Sequence, residues 1–169
     1  MSAPGVRITP CDPRGEDALA LLREAAIEAR ELYPELHVAG APWPTNPPTP
    51  PRGVYLVAYV DGLPVGCGAL RPIDERVVDV RRMYVRRSVR RIGIARALLA
   101  RLEQLARELG YATMRLDAGC RQRPAMSLYE SCGFTRIAPF GEYRGDPTSV
   151  CHELALRAEW SDKPMSTRA

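Results

Sequence analysis

Residues Val77 to Leu109 carry the strongest constraint in the chain: a β-branched run, an arginine-rich turn and an amphipathic helix follow one another directly. Val78, Val80 and Tyr84 recur with strand-like alternation along Val77–Val85. Ile94, Leu98, Leu102, Leu105 and Leu109 then form one stripe at helical spacing over Gly93–Leu109, and Gly110 stops the helix. The strand needs sheet neighbours and the stripe needs an apolar surface to cover, so the fold class is α/β.

The rest of the chain extends this pattern. Val6–Thr9 reads as a short strand and Asp17–Leu32 as a helix, with Leu19, Leu22, Ala26 and Ala29 at helical spacing. Val54–Val60 and Leu63–Leu70 flank Asp61-Gly62 and read as a hairpin. Tyr111–Asp117, Phe134–Ile137 and Ser149–Leu156 read as strands, and Ala125–Ser131 as a short helix after Pro124. The predicted order is β-α-β-β-β-α-β-α-β-β. Between Tyr33 and Gly53 stand seven prolines, which neither continue a helix nor pair inside a sheet. That stretch reads as a stiff active-site loop or linker, with a polyproline partner motif as the alternative. At 169 residues the chain is expected to form one domain, 1–157, followed by a polar tail, 158–169.

Composition removes several classes. No apolar run approaches the ~20 residues of a membrane span, and Met1–Thr9 lacks the apolar core of a signal peptide, so the expected location is cytoplasmic. Five scattered Cys without a CxxC, and only two His, give no zinc spacing, so no metal is expected. The net charge of +4 conceals 24 basic residues, all but Lys163 being Arg, and ten of them lie between Arg71 and Arg101. Such a cluster suits phosphates, in a nucleic acid or in a nucleotide-bearing cofactor. Nucleic acid is the weaker reading, because the cluster lacks aromatic interleaving and a recognised binding motif.

The turn Arg90-Arg91-Ile92-Gly93-Ile94-Ala95-Arg96 combines small residues with the start of the strong helix. Small residues let backbone approach a ligand, and the first helix amides point outward with the positive end of the dipole behind them. This is a pyrophosphate cradle. It is neither GxxxxGK[ST] nor GxGxxG.

Arg90-x-x-Gly93-x-Ala95 and, downstream, Leu128-Tyr129-Glu130-Ser131-Cys132-Gly133-Phe134 resemble paired motifs of the GNAT superfamily of N-acetyltransferases. The resemblance spans roughly Val6 to Leu156, and Pro139-Phe140-Gly141-Glu142-Tyr143 resembles one branch of small GNAT proteins. It implies a mixed, mostly antiparallel sheet of six to seven strands flanked by helices. It also implies acetyl-CoA as co-substrate. By position, the backbone of Met83, Tyr84 and Val85 would bond the pantetheine arm. Arg90, Arg91, Ile92, Gly93, Ile94, Ala95 and Arg96 would surround the pyrophosphate, and Tyr129 would lie near the sulfur. Two positions depart from the family pattern. Gln122 and Arg123 stand where many relatives carry Asn, and Gln122 is the substitute. Ile92 replaces a residue that is often polar or Gly, so it is expected to pack rather than touch phosphate.

Acetyl transfer to an amine requires a neutral amine, a polarised thioester carbonyl and a protonated leaving thiolate. Tyr129 is the candidate acid. Asp79 and Asp117, on successive strands, rank equally as the base, and Glu153 is a lesser candidate that could instead pair with an Arg. Glu142, Tyr143 and the stretch Tyr33-Pro34-Glu35 are candidates for acceptor contact. The expected activity is direct attack of a primary amine of a small molecule, amino acid or peptide. A catalytically weak acyl-CoA sensor is the alternative. A homodimer through the C-terminal strand edge is compatible with either.

Overall fold

Asp61 and Gly62 adopt φ of 50° and 75°, the left-handed pair that closes a two-residue hairpin with the twist strands prefer. They join β2 (Val54–Val60) to β3 (Leu63–Pro72), with Val60 opposite Leu63. The computed structural model describes residues 5–156, so the predicted tail 158–169 lies outside the described residues. The remaining elements are β1 (Val6–Pro10), α1 (Glu16–Leu32), β4 (Val77–Val85), α2 (Ile94–Glu108), β5 (Thr113–Gly119), α3 (Arg123–Ser131), β6 (Thr135–Ile137) and β7 (Ser149–Ala155). Single 3-10 turns occupy Pro34–Leu36, Arg87–Val89 and Gly141–Tyr143.

The seven strands form one sheet in the order β1-β2-β3-β4-β5-β7-β6. Every neighbouring pair is antiparallel except β4 and β5. The predicted order and sheet type hold. Boundaries move by one or two residues: β3 runs on to Pro72, α3 begins at Arg123, and β5 begins at Thr113, not Tyr111, because the Tyr111 amide still bonds the Ala106 carbonyl at the end of α2. The Tyr111 hydroxyl donates to the Arg52 carbonyl, so its ring seals the base of the helix.

Helices cover both faces. The α2 stripe of Ile94, Leu98 and Leu102, joined by Leu99 and Ala106, packs with Leu56, Leu70, Val78, Val80, Met114 and Leu116. Leu105 and Leu109, predicted in the same stripe, are only partly buried at its margin. The helix lies close because β3 presents glycine beneath it. A Cβ at Gly68 would stand 2.9 Å from Leu102 Cδ1, and one at Gly66 would stand 2.9 Å from the Tyr84 carbonyl. On the other face α1 buries Ala18 and Leu21 against Tyr55, Val57, Cys67 and Ala69. The alternation of β2 is read directly here: Leu56 and Ala58 face α2, Tyr55 and Val57 face α1.

Two irregularities open the sheet. β4 pairs with β5 only from Val77–Val80 to Thr113–Leu116, and beyond Val80 the two strands part. β4 also carries a bulge at Arg82, which has φ of 59°, between the pairs Ala69↔Arg81 and Cys67↔Tyr84. A bulge sharpens local twist and puts adjacent side chains on one face, so both Arg81 and Arg82 turn toward the α1 side. The proline-rich stretch folds over α1. Trp43 lies under the Arg23 and Arg30 guanidinium groups, 4.2 and 3.7 Å from its ring centre, and buried Asn46 donates to the Pro13 carbonyl at 2.8 Å. No helix among the described residues is long and apolar enough to cross a membrane.

Candidate active site

The arginine-rich turn sorts its cations. Arg86 pairs with Glu24 at 2.9 Å, Arg90 with Glu28 at 2.6 Å, and Arg87 reaches Glu31 at 3.5 Å, all three acids lying on α1. Arg90 Nε also donates to the Val85 carbonyl at 2.8 Å, so this side chain braces the end of β4. Arg96 reaches α3, donating to Ser131 Oγ at 2.9 Å. Arg91 is exposed, at φ of 67°, and has no ion pair among the described residues. Of the three arginines expected at the cradle, Arg90 is paired by Glu28 of α1, while Arg91 and Arg96 make no ion pair among the described residues.

The cradle itself is backbone. Gly93, at φ of 91°, is the N-cap of α2 and makes no side-chain cap, which leaves the amides of Ile94, Ala95 and Arg96 free to point outward. Its missing Cβ would meet nothing within 4 Å, so the backbone angle, not crowding, demands glycine. Ile94 contributes only its amide, since its side chain is buried. Ile92 overturns its expectation: it does not pack, being 54% exposed at the rim of the turn.

Beside the cradle, the edge of β4 that faces β5 has no ladder partner from Arg81 to Val85. Met83, Tyr84 and Val85 lie along this edge, and the Tyr84 hydroxyl donates to Glu28 at 2.8 Å. Gln122 caps the start of α3, and its side-chain oxygen accepts from the Gly119 amide at 3.0 Å, which holds its own loop. Tyr129, in α3, is 6% exposed, with its ring 6.0 Å from that of Phe134. Burial, and secondarily the Asp117 charge, push its hydroxyl up to about 12, so it keeps its proton at neutral pH.

Asp79 and Asp117 share one sheet face, together with Arg115 and Glu153 on neighbouring strands. Asp79 is 1% exposed; Arg71 lies 3.3 Å and Arg81 3.6 Å from its Oδ2, while Oδ1 has no hydrogen-bond partner among the described residues. Burial pushes its carboxyl up to about 6 against the pull of both arginines. Asp117 is also raised by burial, and accepts from Cys151 Sγ at 3.8 Å. The Gly141–Tyr143 turn closes over this group. Glu142 bonds Arg81 at 2.6 Å and Arg71 at 3.2 Å, and Arg81 donates to the Tyr143 hydroxyl. Glu153 is taken by Arg115 at 3.3 Å. Tyr33 accepts the Arg121 amide at 2.9 Å and packs over Gly119, and Glu35 pairs with Arg121 at 2.5 Å, so these residues pin α1 to the β5–α3 loop.

Sequence reasoning missed Arg71, Arg81, Arg82 and Tyr55. The spacing of Asp79 and Arg81 puts both on one face of a strand, a signal that was available. Arg71 was not recoverable, because its place opposite Asp79 depends on the β3–β4 register. A cavity of about 450 Å³ opens under α1, between the proline-rich loop and β4, and Tyr55, Arg82, Met83, Tyr84 and Gln122 line it. A shallower depression at the Asp74–Val77 turn lies at the other end of β4 from all these groups.

The sequence profile of the acetyltransferase (GNAT) family matches residues 19–134, more than half of the chain. The chain is 39% identical over 103 residues to an IAA acetyltransferase of Azospirillum brasilense, covering 60% of this chain and 67% of that one. It spans 34% of the length of another relative, N-acetyltransferase 8 of Homo sapiens, at 40% identity over 81 residues and 48% of this chain. The structure superposes on that of a Klebsiella pneumoniae protein named for an acyl-CoA N-acyltransferase with a TM-score of 0.74 and 30% identity, covering 90% of this chain and 98% of that one. It also resembles a GNAT family acetyltransferase of Elizabethkingia anophelis solved with acetyl-CoA bound, with a TM-score of 0.63, 17% identity, and 90% and 99% of the two chains covered. Strand order, parted central strands and family profile agree, and the chain belongs to the GNAT family of acetyltransferases, with the acyl-CoA N-acyltransferase fold.

Proposed function

We propose that this chain transfers the acetyl group of acetyl-CoA to a primary amine by direct attack. The observation that carries the reading is one juxtaposition. The unpaired β4 edge at Met83–Val85 runs into a turn whose glycine exposes the first amides of α2. An extended amide-bearing arm can add to the strand edge as a strand would, and a pyrophosphate can accept from the free helix amides. The residues present therefore fit acetyl-CoA, which supplies an activated thioester.

In this reading the amides of Ile94, Ala95 and Arg96 hold the pyrophosphate, with Arg91 and Arg96 adding charge. The backbone of Met83, Tyr84 and Val85 holds the pantetheine arm. Tyr129, whose hydroxyl keeps its proton to about pH 12, donates that proton to the departing thiolate. Asp79, with a carboxyl at about 6, or Asp117, also raised, takes a proton from the acceptor's ammonium, directly or through water, and the neutral amine so formed attacks the thioester carbonyl. Both carboxyls sit closer to neutral pH than a solvated Asp, which suits a base that must both take and release a proton near pH 7.

The first test is thermal unfolding with and without acetyl-CoA. A ligand at about 100 times its dissociation constant adds about 2.7 kcal/mol, a shift of roughly 5–10 °C for a domain of this size. The expected result is such a shift, followed by thiol release on adding an amine. No shift at millimolar acetyl-CoA overturns the reading, and a shift without turnover of any amine turns it into that of an acyl-CoA sensor.

A further inference from the structure

The cavity beneath α1 has a composition that selects its occupant. Arg30, Arg82 and His37 line it, and no Asp or Glu does. Arg82 stands on the β4 bulge in the left-handed region, where a non-glycine residue is held only by its surroundings. Its Nε donates to Asn46 Oδ1 at 3.0 Å and one terminal nitrogen points at the Thr45 carbonyl at 3.5 Å. Neither acceptor is charged, and no carboxylate pairs with Arg82 or Arg30 among the described residues. Tyr55, on the cavity wall, is 4% exposed, yet its hydroxyl makes no hydrogen bond within 3.5 Å among the described residues. A buried hydroxyl without a partner is rare and calls for one. Leu22, Ala25, Ala26 and Ala29 of α1 form the apolar side of the same space.

From this arrangement we propose that the cavity takes an acceptor of the amino-acid class, with its carboxylate on Arg82 and the Tyr55 hydroxyl and an apolar side chain against α1. The inference rests on the acetyl-transfer reading above. A guanidinium without a carboxylate partner, in a cavity that Tyr55 also lines and no acid does, matches a carboxylate, and an α-amino acid carries its amine two bonds from that group. Arg82 directly precedes Met83, the start of the edge assigned to the pantetheine arm, so an anchored carboxylate leaves the amine beside the thioester. A polyamine would bring its second positive charge against Arg30 and Arg82 and is disfavoured. The volume of about 450 Å³ suits a small molecule.

The test uses the full chain with acetyl-CoA, following thiol release with the standard amino acids, the matching carboxamides of the apolar ones, and putrescine and spermidine. The expected result is turnover of at least one apolar amino acid, with kcat/KM ten-fold or more above that of its carboxamide and above both polyamines. Arg82→Gln should lower that acid-to-amide ratio at least ten-fold while keeping the melting shift with acetyl-CoA. Tyr55→Phe removes only the orphan hydroxyl; it should raise KM for the acid several-fold without lowering the melting temperature. Carboxamides or polyamines turned over as well as the acids overturn the proposal, as does an unchanged ratio in Arg82→Gln. Loss of the acetyl-CoA shift in Arg82→Gln also overturns it, since the arginine would then serve the donor. No turnover of any acid, with the wild-type acetyl-CoA shift intact, overturns the acceptor class alone; loss of that shift as well removes the acetyl-transfer reading too.

Discussion

Arg71 stands directly opposite Asp79 in the β3–β4 ladder, and its guanidinium comes within 3.3 Å of the Asp79 carboxylate. Arg81 approaches the same oxygen from two residues along β4 and ties both to Glu142. A buried carboxylate facing two cations would ordinarily be strongly acidic, yet burial outweighs them and holds the group at about 6.

That balance gives a signed pH dependence. The folded carboxyl keeps its proton up to about 6, whereas its ordinary value is 3.8. Between these values the folded state binds more protons than the unfolded one, so this group's contribution to stability is present below pH 4 and declines as pH rises toward 6. Asp79→Asn has no such decline. Urea unfolding from pH 4 to 7 should show the variant gaining on wild type by on the order of 1–3 kcal/mol across pH 4 to 6, then running parallel to it.

The same substitution separates the two candidate bases. If Asp79 takes the proton, the wild-type rate climbs through about pH 6 and Asp79→Asn loses the climb along with most of its turnover. If Asp117 takes it, the climb survives Asp79→Asn and disappears in Asp117→Asn. Rate profiles from pH 5 to 9, at saturating acetyl-CoA, read the difference.

Tyr129→Phe should lower kcat by about 100-fold while the acetyl-CoA melting shift stays within a degree or two of wild type. The hydroxyl makes no hydrogen bond among the described residues, so its removal costs little stability. Undiminished turnover removes Tyr129 from the chemistry.

Gly93→Glu places a side chain at φ of 91° and a negative charge over the free amides of α2. Strain should cost about 1–2 kcal/mol of stability. The diagnostic loss is the acetyl-CoA shift, which should vanish in the folded variant, as judged by circular dichroism.

Leu102→Ala tests the packing of α2. Leu102 is fully buried over Gly68, where the glycine leaves room for it. The cavity left behind should cost roughly 3 kcal/mol, lowering the melting temperature by roughly 6–12 °C. Leu105→Ala, at the partly buried margin, should cost less than half as much.

Much of the fold was legible because its signals are local. The hairpin turn at Asp61-Gly62, the β4 run and the α2 stripe each depend on residues within a few positions of one another. Gly93 was legible for the same reason, since a helix start exposes its own amides. Ile92 was misread because an apolar side chain does not reveal whether any surface reaches it, and none does. The arginines were misread as a common pool of charge. Glu28, about sixty residues earlier on α1, takes Arg90 of the cradle, and Glu24 and Glu31 take Arg86 and Arg87 just before it.

The sequence by itself determined the order of strands and helices, the glycine-capped start of α2, the paired family motifs and the two candidate carboxylates. Only the tertiary structure decided that β4 leaves β5 after Val80, that the bulge at Arg82 turns two consecutive arginines to one face, and that Arg71 meets Asp79. It also decided that Tyr55 and Arg82 line one cavity. The reason is separation along the chain. Periodicity, caps and turns are set by neighbours, whereas register, desolvation and ion pairing arise between residues that meet only when the sheet has closed.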